Sequence, residues 1–272
     1  MLIIDLLRSI SNLILMKNNN YSVKSIAIFF ASMMMFTSCS QYDNENNSDE
    51  LSKSNSHNKY ERLLTDEDIN QIGVSHNENL DLLFVNHPQN LLDVKERALS
   101  LYDGDELTEE DLDNYFEVAN QFNMGYLTSI ITEAESDFVN PALLIEKLNE
   151  INEINEIMNK TELIAHENNT REQLVGVDLD TYLIVSTVFQ FSGDFWSTKF
   201  PEASPVVVQG WREADGISAA IGFFTLAAAF SAISAVGVAT GGTGVIATVT
   251  IVASLLNIGA FAALASIWSA FD

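Results

Sequence analysis

The sequence predicts an all-α fold, an acidic helical bundle that ends in a C-terminal hydrophobic helical hairpin. Three observations lead there. Between residues 61 and 200, apolar side chains recur at helical spacing behind capping signals. No Asn-Gly or Asp-Gly turn is flanked by alternating strand-like runs, and Asp103-Gly104 lies between two helical patterns instead. Finally, the 56 residues from Gly216 to Phe271 carry no charge and are divided near the middle by Thr240-Gly241-Gly242-Thr243-Gly244.

The helical elements follow in order. Thr65-Asp66-Glu67-Asp68 offers an N-cap with acids in the first turn, where they complement the helix dipole. In Ile72-Gly73-Val74-Ser75-His76-Asn77, Gly73 is expected to end one helix and Ser75 or Asn77 to cap the next, placing His76 near a helix N-terminus. Leu91, Leu92, Lys95, Ala98, Leu99 and Tyr102 suit an amphipathic helix ending near Gly104. Thr108-Glu109-Glu110-Asp111 is a second cap, leading into Leu112, Tyr115, Phe116, Ala119 and Phe122. Pro141 fits the first turn of a helix running to about Lys160. Inside that helix, Asn-Glu-Ile occurs three times over 149–157. A period of three drifts around a 3.6-residue helix, so the isoleucines form a slanted stripe, read as touching the core rather than binding a partner. His166, beside Glu167-Asn168-Asn169-Thr170, reads as a loop residue. The last bundle segment, Leu179 to about Trp196, is apolar and aromatic, with Tyr182, Phe189, Phe191 and Phe195.

The uncharged segment splits into Gly216–Ala239 and Val245–Ala270, each about as long as a spanning helix requires. A turn at Gly241, Gly242 and Gly244 would bring Trp211 and Trp268 to the same end, as interfacial aromatics. Arg212, Glu213, Asp215 and Asp272 flank that end only, so the tip carries no charge into a bilayer. Small residues four apart (Ser218/Gly222, Ala228/Ala232, Thr250/Ser254, Gly259/Ala263) permit close helix contact. Ala, Ser and Thr are frequent and Leu is not. The pattern therefore fits a membrane hairpin, a hairpin buried in a bundle, or a peptide released by proteolysis, with insertion favoured.

Near the start of the chain, Lys17 and Lys24 precede the apolar run Ile26–Phe36, which is too short to cross a bilayer, and small residues then lead to Cys39. Phe36-Thr37-Ser38-Cys39 resembles a lipobox, the cleavage site of a type II signal peptide, with Phe36 where Leu is usual. The resemblance implies a bacterial lipoprotein, cleaved before Cys39 and carrying palmitate-type acyl chains there. It also implies residence in the cell envelope, with the outer membrane favoured over the inner. The expected organisation is a signal peptide over 1–38, with Met16 a better start than Met1, a tether over 39–60, an acidic helical domain over 61–200 and the hairpin over 211–271. Gly73-Val74-Ser75-His76-Asn77-Glu78-Asn79-Leu80 is similar to a Gly-x-x-His-Asn-x-x-Leu pattern of uncharacterised secreted bacterial lipoproteins, a resemblance that implies no activity.

Composition narrows function further. Cys39 is the only cysteine, which excludes an internal disulfide and a cysteine-based site in the folded domain. The net charge is −25, and becomes −27 once Arg8, Lys17, Lys24 and Asp5 are removed. Such a chain repels nucleic acid. His57, His76, His87 and His166 form no close ligand pair. Asp103–Asp111 fails the EF-hand pattern, because Leu99 and Leu101 fall where that loop needs acids. No Gly-x-Ser-x-Gly elbow, P-loop or dinucleotide fingerprint is present. The expectation is a non-enzymatic, membrane-anchored lipoprotein with a binding or structural role and neither cofactor nor metal. Its partner would be the membrane, through lipid at Cys39 and through residues 216–270; no nucleic acid is expected, and no protein partner can be named. The alternative is a membrane-active, pore-forming or bacteriocin-like protein, since the hairpin resembles in pattern that of the pore-forming colicins. A hydrolase built on His76 ranks last.

Overall fold

A helix with almost no exposed surface organises the molecule. In the computed structural model, which describes residues 59–85, 90–101, 109–156, 160–203, 205–240 and 258–270, this helix spans Gly176–Lys199. Tyr182, Leu183, Ile184, Val185, Val188 and Phe189 are buried on successive faces of it. A helix that is apolar all round must be surrounded.

In chain order the elements are α1 (Asp66–Phe84), α2 (Leu91–Leu101), α3 (Glu109–Ala119), α4 (Met124–Glu133), a single 3₁₀ turn (Glu135–Asp137), α5 (Pro141–Glu156), α6 (Lys160–Arg171), the central α7 (Gly176–Lys199), α8 (Pro205–Thr240) and α9 over 258–270. The architecture is all-α, with no strand among the described residues. α1, α5, α6 and α8 all pack on α7. The signal peptide, Cys39, the tether up to residue 58, the Gly104 and Thr108 signals and the Gly241, Gly242 and Gly244 turn lie outside the described residues.

α1 starts where its cap predicts. Thr65 Oγ1 accepts from the Asp68 amide at 3.2 Å, and Asp68 accepts from the Thr65 amide at 2.8 Å, a reciprocal capping box. α1 then runs parallel to α7. Arg62 and Asp180 meet at one end, Asn77 and the Phe191 carbonyl in the middle, and Phe84 with Trp196 at the other end. Gly73 does not end the helix. A Cβ there would sit 2.4 Å from the Phe191 ring, so the glycine lets α1 close on α7 while the helix continues through it.

One other expectation also changes. The helix from Pro141 is described over Pro141–Glu156 and a helix over Lys160–Arg171 follows, with 157–159 outside the described residues. His166 lies on that helix, α6, rather than in a loop, because α5 and α7 bind it from both sides: Tyr182 Oη at 2.7 Å and Glu150 Oε2 at 2.8 Å. Ile151 of the Asn-Glu-Ile repeat is fully buried and Ile154 is half-buried, as a stripe that touches the core and drifts away from it.

Residues within 217–226 and 258–267 of the uncharged segment contribute to the same core. Ile217, Ala220, Phe223 and Leu226 of α8 are buried, as are Ile258, Phe261, Leu264 and Ile267 of α9. Tyr115 Oη lies 2.9 Å from Ser218 Oγ and donates to the Phe261 carbonyl at 2.7 Å. The Trp211 indole N–H donates to the Ser269 carbonyl at 3.1 Å. These pairings run α9 antiparallel to α8. Among the described residues, no helix is long and apolar enough to cross a membrane.

Candidate functional site

A cluster of buried polar groups gathers at the foot of α8. α8 runs antiparallel to α7, which sets Arg212 and Asp215 against Ser192 and Gly193. Ser192 Oγ donates to Asp215 Oδ2 at 2.5 Å. From α1, His76 Nε2 approaches the same carboxylate oxygen to 3.0 Å, and both side chains are 0% exposed. That contact is close but not aligned as a hydrogen bond. His76 Nδ1 is 2.8 Å from Asn77 Oδ1, and Asn77 Nδ2 donates to the Phe191 carbonyl at 3.0 Å. With its amide so committed, Asn77 presents an acceptor to Nδ1, and that nitrogen is the donor.

Arg212 completes the cluster. A Cβ on Gly193 would fall 3.0 Å from Arg212 Nη1, so the glycine makes room for the guanidinium. Burial pulls the Arg212 pKa down to about 10, against the attraction of Asp215, which raises it. Glu213, one residue on, turns away and accepts from the Met124 amide at 2.6 Å, filling an orphan donor at the start of α4. The acids read from the sequence as hairpin-flanking charges thus tie α8 to α1, α4 and α7.

Two more carboxylates lie at the opposite end of α7. Asp178 accepts from the Val139 and Asn140 amides at 2.9 and 2.7 Å, holding the entry to α5. Asp180 accepts from the Leu63 and Leu64 amides and from Arg62 Nε at 2.6 Å, holding the entry to α1. Burial raises the pKa of both, and those donors oppose the rise. A third group links α5, α6 and α7. Glu150 is held below the ordinary carboxylate value by Lys147 first and His166 second, while burial pushes the Tyr182 phenol up.

Each of these groups joins two or more elements of the bundle. In a Ser-His-Asp triad the imidazole lies between hydroxyl and carboxylate. Here the carboxylate lies between hydroxyl and imidazole, so His76 is not placed to take the Ser192 proton, and neither His76 nor Asp215 reaches solvent. Tyr182 is made less acidic, the opposite of activation. Among the described residues, no group of three or more His, Cys, Asp or Glu is arranged to hold a metal ion.

The tryptophans expected at a membrane interface lie at one end, as a hairpin requires, and both are packed. Trp211 meets Trp196 at 4.6 Å between ring centroids, and Trp268 stacks on Phe116 at 4.4 Å while its N–H donates to Asn120 Oδ1. Of the two described histidines, His76 is brought to the foot of α8 and His166 is not, while His57 and His87 lie outside the described residues. Ser192, Asp178 and Asp180 were not singled out by sequence reasoning, and Arg212 was read only as a charge flanking the hairpin. The only hint was polar residues inside otherwise apolar helical runs. Comparison with family models, curated proteins and solved structures found no match to this chain.

Proposed function

We propose that the chain is a non-catalytic lipoprotein of the cell envelope, held by acyl chains on Cys39, with the uncharged C-terminal segment as a second point of membrane contact. The observation that carries this reading is the order basic, apolar, small, cysteine at Lys17–Cys39, followed by a tether with almost no apolar content. Two features support it. The buried polar groups are arranged as fasteners between helices. Residues at the feet of the hairpin arms are committed to the bundle core, and the whole segment Gly216–Phe271 carries no charge to oppose contact with lipid. A binding or structural role for the acidic body requires no active site.

Metabolic labelling with a fatty acid tests the anchor. Label is expected on the wild-type chain and not on Cys39→Ser, and Cys39→Ser should shift protein from the membrane fraction toward the soluble one. A wild-type chain without label would sink the reading.

A second reading, membrane activity, is favoured by one observation: an acid, Asp215, holds the foot of an uncharged arm to α1 and α7. Residues 40–272, mixed with vesicles, would then release trapped dye as the uncharged arm enters lipid. Flotation with vesicles but no dye release would leave the anchor and remove the pore.

A further inference from the structure

We propose that the end of the bundle at the start of α7 is the face apposed to the membrane, and that its partner is a bilayer of uncharged headgroups. The inference rests on the anchoring reading above and adds to it which surface meets the lipid.

Two independent lines of geometry converge on this end. The first is the path of α8. Trp211 packs on Trp196, Asp215 meets Ser192, and a Cβ on Gly216 would strike Phe189. This antiparallel register, continued at about 1.5 Å per residue, places Gly176 level with roughly residue 230. α8 nevertheless continues to Thr240. Its last ten or so residues, about 15 Å of helix, therefore extend past the start of α7. The sequence of that extension, like all of Gly216–Phe271, is free of charge.

The second line is the entry of the N-terminal chain. Lys59 is the first described residue, and it is fixed at the same end. Its carbonyl accepts from the Val177 amide at 3.2 Å, and its Nζ donates to the Phe138 carbonyl at 2.5 Å. Gly176 has φ +58°, and a Cβ there would lie 2.0 Å from the Lys59 carbonyl oxygen, so the crossing demands glycine. Only the nineteen residues 40–58 separate Cys39 from this point. The lipid-bearing tether and the uncharged helical extension thus leave the bundle from one end.

The surface between them suits an interface governed by apolar contact. Tyr60 is 60% exposed and Val175 47% exposed there. The acids around them, Glu61, Glu135, Asp137 and Glu172, are exposed and would repel anionic lipid. Uncharged headgroups avoid that repulsion. The far end, where α7 finishes at Lys199 and α8 begins at Pro205, would then point away from the membrane.

The test uses the mature, acylated chain in phosphatidylcholine vesicles. Acylation of Cys39 leaves an introduced cysteine as the only free thiol. Val175→Cys and Val207→Cys, at opposite ends and both on exposed positions, are each labelled with an environment-sensitive fluorophore. The label at 175 is expected to shift to the blue on vesicle binding and to be quenched by nitroxide-bearing lipid, with neither change at 207. Tyr60→Cys should repeat the result for 175, and replacing part of the phosphatidylcholine with phosphatidylglycerol at low salt should weaken the quenching. Vesicle-bound protein with equal signals at 175 and 207, or a stronger signal at 207, would overturn the proposed face while leaving the anchor intact. Protein that does not float with vesicles at all would overturn the anchoring reading and this inference with it.

Discussion

The two ends of α7 are held by different chemistry. At its start, Asp178 and Asp180 gather backbone amides from the entries to α5 and α1, with Arg62 beside them. At its finish, Phe84, Phe195, Trp196, Phe200 and Trp211 pack edge to face or tilted, with Trp196 stacked on Phe200, and centroids lie 4.6–6.2 Å apart. The difference follows from what each end must organise. The first end collects loops, whose amides require acceptors once they leave water. The second collects side chains from helices already formed, where aromatic area predominates and the Ser192–Asp215 pair lies one turn inward.

The comparison can be broken most severely at the aromatic end. Trp196→Ala removes a fully buried ring and its N–H bond to Ser266 Oγ. It is expected to cost about 3–5 kcal/mol, read as a fall in the urea midpoint. Asp180→Ala strips the acceptor from the Leu63 and Leu64 amides and from Arg62. Because Arg62 keeps partial access to water and a second partner in Asp66, the expected loss is smaller, about 2–3 kcal/mol. Thr65→Ala opens the exposed capping box of α1 and should cost about 1 kcal/mol.

The smallest effect sharpens the contrast through pH. Asp178 and Asp180 bind protons more readily folded than unfolded, so their contribution declines as pH rises from the ordinary aspartate value through the raised folded one. Glu150 has the opposite sign. Its pKa is lowered in the fold, so its contribution is present above the ordinary glutamate value and is lost as pH falls through the lowered one. Urea midpoints followed from about pH 7 to about pH 3 should therefore fall less steeply on the acid side in Glu150→Gln than in the wild type. Identical profiles would remove Glu150 from the acid response.

The helical bundle was legible wherever local signals decide. The Thr65 cap begins α1, and Leu112, Tyr115, Phe116, Ala119 and Phe122 all reach the core from their spacing alone. What failed was every feature whose cause lies far along the chain. Gly73 resembles a helix end until Phe191 is placed against it. His166 sits in a polar run that suggests a loop, yet Tyr182 and Glu150 hold it on a helix. Arg212, Glu213 and Asp215 resemble charges flanking an exposed hairpin, and only the approach of Ser192, His76 and the Met124 amide shows them to be internal. Polar residues that pair across a hundred positions leave no periodic trace, so the fasteners of this fold are the part the sequence conceals.

The close seating of Gly259 has a consequence for the order of assembly. A Cβ there would lie within 2.8 Å of the Ile72 carbonyl oxygen and 2.7 Å of the His76 amide nitrogen, so the last described helix rests directly on the backbone of the first. A ribosome delivers α1 long before that helix exists. Until then the groove at Ile72–His76 has no neighbour to fill it, and burying that face must wait for nearly the whole polypeptide. Folding is therefore expected to be late and concerted rather than progressive, and the nascent chain to depend on whatever shields its apolar first helix in the interval.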